Sequence, residues 1–138
     1  MIRKAEAKDI PAVLKLVNFW SKKSRLLQVT KRELRKRLGL SWIWEDKKEV
    51  VGYISLLVYR KELAEIRSLC IKVKYQRRGI GTKLLQTALL EAKKRRITTV
   101  LTITKVLGFY SLQKFQSKLA GKRALLLDPR RFKIKKRL

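Results

Sequence analysis

The residues best suited to chemistry lie in one stretch, Lys72-Val73-Lys74-Tyr75-Gln76-Arg77-Arg78-Gly79-Ile80-Gly81-Thr82. Its two glycines, two positions apart, permit torsions other residues avoid and let a ligand approach the main chain closely. A strongly amphipathic helix follows. The free N–H groups of its first turn face the same space, and the helix dipole favours an anion there. Arg77, Arg78 and Lys83 add positive charge beside it. Physically this is a cradle for a diphosphate. It lacks the Gly-Lys-Ser/Thr end of a P-loop, and its glycine spacing is not that of a dinucleotide-binding turn. The same residues would also make a tight strand-to-helix turn whose glycines serve packing alone, so the local sequence leaves both readings open.

Composition removes several other chemistries. The chain of 138 residues has no His and a single Cys. A Ser-His-Asp or Cys-His relay, a Cys/His zinc site and an internal disulfide are therefore excluded. Without a histidine to activate it, Cys70 reads as a buried inert thiol. A lone Cys suits a reducing, intracellular setting. The N-terminus is charged from its third residue, and the longest apolar stretch, Val50 to Tyr59, is interrupted by Gly52 and Ser55. No signal peptide or membrane span is expected, and the expected location is the cytoplasm.

Lys and Arg number 37 against 10 Asp and Glu, a formal net charge of +27. Such a field attracts nucleotide phosphates and weakly attracts nucleic acid. The basic residues are nevertheless spread over Lys22-Lys23, Lys31-Arg32, Arg35-Lys36-Arg37, Lys93 to Arg96 and Lys133 to Arg137 rather than gathered in one stripe. An apolar content of 46% is ordinary for a folded domain and too high for a disordered polycation.

The elements that must position the cradle follow from periodicity. Residues 2–5 read as a first strand. Asp9 as N-cap and Pro11 in the first turn open a helix carrying Ile10, Val13, Leu14, Val17 and Trp20. Thr30-Lys31-Arg32-Glu33 matches a capping box, and the basic helix it opens is expected to end at Gly39. Ser41–Glu45, Val50–Tyr59 and Leu63–Val73 read as an antiparallel meander, with Trp42 and Trp44 packing on one face. Gly79 to Arg96 is helical, Thr98 to Thr104 a strand, Gly108 to Leu119 helical and Ala124 to Leu127 a last strand. The fold class is α+β in the order β-α-α-β-β-β-α-β-α-β, with residues 1–128 as the domain and 129–138 as a basic tail.

The pattern as a whole resembles a known family. Gln76-x-x-Gly79-x-Gly81 after a strand is similar to the Gln/Arg-x-x-Gly-x-Gly/Ala signature of the GNAT acyltransferase superfamily. About 25 residues later, Phe109-Tyr110-Ser111-Leu112-Gln113-Lys114-Phe115 is similar to the family's Phe-Tyr-x-x-Leu-Gly-Phe. The element order agrees as well. The resemblance implies a mixed, mainly antiparallel, splayed sheet flanked by helices, and acetyl-CoA as co-substrate with no metal. The main chain of Leu69, Cys70 and Ile71 would pair with the pantetheine arm, and the amides of Gln76, Arg77, Arg78, Gly79, Ile80, Gly81 and Thr82 would hold the pyrophosphate. Tyr110 stands where many members place the acid that protonates the departing thiolate, a role its neutral hydroxyl suits. It would equally serve as an aromatic core residue.

Leu63-Ala64-Glu65-Ile66-Arg67-Ser68-Leu69 further resembles the Ala-Glu-Ile-Arg-Ser-Leu strand of N-acetylglutamate synthase-type members. Glu65 and Arg67, two apart, share one face of a strand. Two interior charges are costly unless paired or used on a ligand. Arg67 is expected to hold an amino-acid carboxylate. Glu65 is expected to orient the acceptor amine or relay its proton, or else to form a structural pair with Arg67. The implied reaction is acetyl transfer to the α-amine of glutamate or a related amino acid, with a place in amino-acid and specifically arginine biosynthesis. Alternatives are a protein or peptide N-terminus as acceptor, or a basic nucleic-acid-associated module that kept the fold. A homodimer is compatible with the sequence, and no membrane partner is expected. The subgroup's Leu-x-Pro-Arg segment is replaced here by Leu26-Leu27-Gln28-Val29, so Arg25 or Lys31 would have to supply a second carboxylate anchor. A Pro after the fourth strand is Val73, and the family's Leu-Gly is Gln113-Lys114.

Overall fold

Strand after strand of this chain is apolar enough to be buried, and one is buried on both faces. Glu49–Arg60 (β3) carries seven consecutive buried residues, Val50 to Leu56. Such a strand must lie mid-sheet under two covering layers. The computed structural model, which describes residues 1–23, 26–119, 122–123 and 130, shows this arrangement. The sheet has five strands in the order β1-β2-β3-β4-β5, with β1 Ile2–Lys4, β2 Ser41–Asp46, β4 Leu63–Ile71 and β5 Thr99–Thr102. Neighbours are antiparallel except β4 and β5, which are parallel. This is the expected α+β class with a mixed, mainly antiparallel sheet.

Two layers cover the sheet. Helix α1 (Ile10–Lys22) and helix α2 (Lys31–Arg37) bury Ile10, Val13, Leu16, Val17 and Leu34 against Ile43, Tyr53 and Cys70. Helix α3 (Ile80–Lys94) packs on β2, β3 and β4 through Leu84, Leu85 and Ala88. Gly52 of β3 lets it come close. A Cβ there would lie 2.9 Å from Ile71 Cδ1, 3.0 Å from Leu84 Cδ1 and 3.3 Å from Trp44 Cβ. Residues Met1–Lys105 form one compact unit. Residues Val106–Leu138 form a second, containing α4 (Leu107–Leu112) and a two-stranded ladder of β6 (Lys118–Leu119) and β7 (Lys122–Arg123). The expected strand Ala124–Leu127 lies outside the described residues.

Several local expectations are corrected. Asp9 precedes α1, but its side chain does not cap that helix. Its carboxylate instead accepts Arg3 Nη1 at 2.8 Å and Nη2 at 2.9 Å, and the Glu6 amide at 2.8 Å. A bidentate charged pair outcompetes a single amide. Thr30 does cap α2, its Oγ1 accepting the Glu33 amide at 3.2 Å. That helix ends at Arg37 rather than Gly39, because Leu38–Leu40 tightens into a 3-10 turn and Gly39 has no left-handed torsion. Strand β4 ends at Ile71, not Val73, since Val73–Tyr75 is a 3-10 turn.

The helix expected over 108–119 stops at Leu112. Lys114 turns left-handed (φ 69°), its amide bonds Ser111 O at 3.0 Å, and the Phe115 amide bonds Tyr110 O at 3.0 Å. This is the Schellman arrangement, which glycine usually makes possible. Lys114 occupies the position of the family's glycine.

Arg3 also reaches Glu45, with Nη2–Oε1 at 3.3 Å, so one guanidinium ties β1 to the start of α1 and to β2. Hydrogen bonding from Arg3 holds the Asp9 carboxyl below its ordinary value of 3.8. A depressed carboxyl stabilises the fold fully above its unfolded value and loses that contribution as pH falls through the folded one. Asp9→Asn is therefore expected to cost roughly 3 kcal/mol at neutral pH. Its urea midpoint should then fall less steeply than that of the parent protein between pH 5 and pH 2. Parallel pH profiles would show that this pair does not govern acid stability.

Candidate active site

A register fault in β4 creates the first half of the site. Tyr53 pairs with Cys70 and Ser55 with Arg67, so β4 uses three steps where β3 uses two. The extra residue is absorbed at Ser68, which is left-handed (φ 59°). Such a bulge bends its strand and sharpens its twist. The parallel ladder with β5 accordingly covers only Leu63 to Ile66, and among the described residues the rest of β4 pairs with no strand other than β3.

Alternation decides which groups reach its other edge. The Lys72 amide bonds Val51 O at 2.8 Å, so Cys70, two residues back, also turns its main chain toward β3. Leu69 and Ile71 face outward. Of the three residues expected to offer their main chain at this edge, Cys70 offers none, and burial raises its thiol far above the ordinary range. The Ile71 carbonyl already accepts two bonds, from Trp20 Nε1 at 3.2 Å and from Gln76 Nε2 at 3.2 Å.

The Gln76 bond anchors the second half, the turn leading into α3. Gln76 is extended, Arg77 is left-handed (φ 62°), Gly79 is left-handed (φ 80°, ψ 5°), and α3 starts at Ile80. Left-handed residues at a helix entrance point successive amides into one concavity, an anion-binding nest. Gly81 lies in the first helical turn, and only Gly79 uses glycine's torsional freedom. Residues that sequence reading passed over hold the turn. The Tyr75 hydroxyl donates to Asp46 Oδ2 at 2.8 Å, which raises its pKa, and the Arg78 guanidinium lies 4.9 Å from the Tyr75 ring centre. Lys83 Nζ lies 5.6 Å from the Trp44 ring. No ion pair among the described residues uses Arg77, Arg78 or Lys83. Exposed amides and unneutralised cations at one helix entrance fit a diphosphate.

On the α1/α2 face of the sheet, the other two expected residues meet. Glu65 is buried and Arg67 Nη1 lies 3.5 Å from its Oε1. The Tyr59 hydroxyl donates to the same oxygen, and that bond raises the Tyr59 pKa and keeps its proton in place. Further polar groups follow along the sheet. Ser41 pairs with Ser55 and Ser55 with Arg67, giving one cross-strand row. Ser55 Oγ donates to Arg67 O at 3.1 Å, and Tyr53 OH lies 3.0 Å from Ser41 Oγ. The signal for this row was present as Tyr53, Ser55 and Tyr59 at alternate positions of an apolar strand.

Tyr110 belongs to the second unit. It is buried there, its ring edge-on to Phe109 (centroids 5.0 Å apart, 87°) and Phe115 (5.3 Å, 76°). Arg25, one expected substitute for the missing anchor, lies outside the described residues, and Lys31 is exposed on α2. Among the described residues no cluster of His, Cys, Asp or Glu could hold a metal, and no helix is long and apolar enough to cross a membrane.

Comparison with known proteins shows the family and the fold. The sequence pattern of the acetyltransferase (GNAT) family matches residues 8–117. N-acetyltransferase family 8 member 3 of Rattus norvegicus is 27% identical over 100 residues, 68% of this chain and 43% of its own length. The chain thus spans less than half of that relative. The solved structure of Rv2747 from Mycobacterium tuberculosis, in complex with CoA, superposes with a TM-score of 0.80 at 25% identity, covering 86% of this chain and 73% of that one. N-acetylglutamate synthase from Neisseria gonorrhoeae, complexed with coenzyme A and N-acetyl-glutamate, gives a TM-score of 0.75 at 22% identity over 83% of this chain and 27% of that one.

If the nest is the anion site, its left-handed glycine is indispensable. Gly79→Val places a β-branched side chain at φ 80°, a cost of roughly 1–2 kcal/mol. Calorimetric titration with CoA should show at least tenfold weaker binding, whereas Gly39→Ala, at a position with open space, should bind normally. Unchanged CoA affinity in Gly79→Val would remove the nest from the donor site.

Proposed function

The chain belongs to the acetyltransferase (GNAT) family, and from that premise we propose that it transfers the acetyl group of acetyl-CoA to the α-amine of glutamate or a closely related amino acid. The observation that carries the choice of acceptor is the Glu65–Arg67 pair: a buried acid and a guanidinium on one strand face, immediately before the bulge that opens β4. A charged pair inside a domain is weak as a source of stability, since desolvation offsets most of the attraction. It has a use if an amino-acid zwitterion exchanges partners with it.

In this reading the Arg67 guanidinium takes the α-carboxylate. The Glu65 carboxylate then receives a proton from the substrate ammonium, directly or through water, and leaves a neutral amine. The amine nitrogen attacks the thioester carbon, and outward-facing amides of β4 stabilise the developing oxyanion. As the tetrahedral species collapses the C–S bond breaks, the sulfur takes a proton from the Tyr110 hydroxyl, and the attacking nitrogen gives up its second proton, which restores the Tyr110 hydroxyl and leaves a neutral amide. Tyr59, donating to Glu65, keeps the carboxylate oriented between the proton transfers. The amides of the nest from Arg77 to Thr82 hold the donor's diphosphate, while the Gln76 amide, expected to join them, donates to Val73 O at 3.3 Å. We assign the reaction to residues 1–128 and leave the basic tail, 129–138, outside it.

A peptide N-terminus is the alternative acceptor, and it would bring no α-carboxylate to Arg67. Release of free CoA thiol, followed over glutamate, glutamine, short peptides and a polyamine, separates the two. Turnover confined to peptides would overturn the amino-acid reading. Tyr110→Phe should lower kcat by at least tenfold with acetyl-CoA affinity unchanged, and Glu65→Gln should lower kcat while acetyl-CoA still binds. An undiminished kcat in Tyr110→Phe would remove it as the acid.

A further inference from the structure

The basic residues are scattered in the sequence, but the fold gathers two of their runs at one end of the sheet. Arg60-Lys61 ends β3 and enters the turn to β4, and Lys93-Lys94-Arg95-Arg96 ends α3 and enters the turn to β5. The Glu62 carbonyl joins the two turns. It accepts the Thr99 amide at 2.9 Å, the Thr98 amide at 3.1 Å and the Thr98 hydroxyl at 3.4 Å. Leu63 and Thr99 then open neighbouring parallel strands, which lie about 5 Å apart. All six cations are exposed. The ion pairs among the described residues use only one of them, Arg95, which meets Glu91 at 3.0 Å.

Helix energetics explains part of this charge. Lys93 and Lys94, in the last turn of α3, complement a helix dipole worth roughly half a negative charge. Arg60 and Lys61 add two more cations beside an end already more than neutralised. Arg96 is not explained by the dipole either. It is left-handed (φ 60°), its amide bonds Lys93 O at 3.0 Å, and the Ile97 amide bonds Ala92 O at 3.0 Å. This is a Schellman end, where glycine would sit without strain. Strain and clustered like charge are costs that a bound anion offsets. Neither run is interrupted by an apolar residue, whereas the core of a protein–protein interface is depleted in charge. The phosphates of a nucleic-acid backbone suit such a surface, since a duplex carries one negative charge per about 1.7 Å of its axis. The donor turn is far away. The nine residues of β4 put about 25 Å between the two ends of that strand, and the fifteen of α3 span about 22 Å.

We propose that the end of the domain formed by the β3–β4 and α3–β5 turns is a binding surface for nucleic acid, held through its backbone phosphates without reading sequence. The surface uses no residue assigned above to the donor or the acceptor, so it stands apart from the choice of acceptor. Duplex and CoA bind together.

The test is the fluorescence anisotropy of a labelled DNA duplex of about 20 base pairs, titrated with the full chain over a salt series around 100 mM KCl. Combining Arg60→Gln, Lys61→Gln, Lys93→Gln and Lys94→Gln should weaken binding at least tenfold. It should also flatten the slope of log K against log salt by roughly 3–4. The control combines Lys31→Gln, Arg32→Gln, Arg35→Gln and Lys36→Gln, which removes the same charge from exposed positions of α2. It should bind within about threefold of the parent, because charges beyond a Debye length are screened. Removing repelling charge should not lower the Tm of either variant, so lost binding is not lost fold. Arg96→Gly should raise the Tm and still weaken binding. Saturating CoA should leave the duplex affinity unchanged. Equal losses in the two combined variants would reduce the effect to diffuse net charge and overturn the proposal. So would an absence of duplex binding by the parent, full affinity in Arg96→Gly, or displacement of the duplex by CoA. Phosphatidylserine vesicles provide the last arm: a first variant that loses vesicle binding but keeps the duplex would make this end a membrane contact and overturn the assignment.

Discussion

The open half of the site depends on the fault in β3–β4 pairing at Ser68. If β4 ran in register with β3 and β5 over its whole length, every main-chain group from Leu63 to Ile71 would be spent in the sheet. The extra residue at Ser68 prevents this. It holds β4 in two-sided pairing as far as Ile66, and beyond that it leaves one edge unpaired with any strand among the described residues. Side-chain placement follows from the same fault. Glu65 and Arg67 precede the bulge and project toward α1 and α2. Cys70 follows it and still projects that way, because the bulge shifts the phase by one residue. A left-handed serine costs about 1 kcal/mol or more. The donors the open edge would otherwise leave unsatisfied account for why a binding site is the natural place for such a cost.

That constraint also explains the supports around the turn before α3. An open strand edge and a nest of exposed amides are both unstable alone. Gln76 and Trp20 fasten the Ile71 carbonyl, Tyr75 is tied to Asp46 across the sheet, and Arg78 and Lys83 lie against Tyr75 and Trp44. These contacts hold the turn without neutralising it, since an aromatic face attracts a cation without cancelling its charge. The guanidinium and ammonium groups stay available to an anion.

Much of this was legible in the sequence because it depends on periodicity. The order of elements through α4, the helix spacing of α1 and α3, the alternation that puts Glu65 and Arg67 on one face, and the Gln-x-x-Gly-x-Gly turn all follow from local pattern. What was not legible depends on register or on backbone torsion. Nothing in Ser68, Arg77 or Lys114 as residue types announces a left-handed conformation, which asparagine or glycine would have signalled. Tyr59, which reaches Glu65, sits at a second register shift of the β3–β4 pairing, between Val58 and Arg60, and that shift is a property of two strands together. Arg37 sits in a run of basic residues that reads as solvated surface. Its burial follows from where a seven-residue helix ends, and the expected end at Gly39 was displaced by the 3-10 turn.

The scarcity of acid in this chain carries functional information of its own. With 10 carboxylates against 37 cations, the position of each acid decides which cations are neutralised. Asp9 and Glu45 are spent on Arg3, where they tie the N-terminal strand to the first helix. Glu65 is spent on Arg67 and Glu33 on Arg37. Glu91 pairs with Arg95 at the far end of α3, and Glu49 with Lys72 at the base of the turn. The pairing stops short of the helix entrance. Among the described residues, no acid in these pairs reaches Arg77, Arg78 or Lys83, where a carboxylate would compete with an incoming diphosphate.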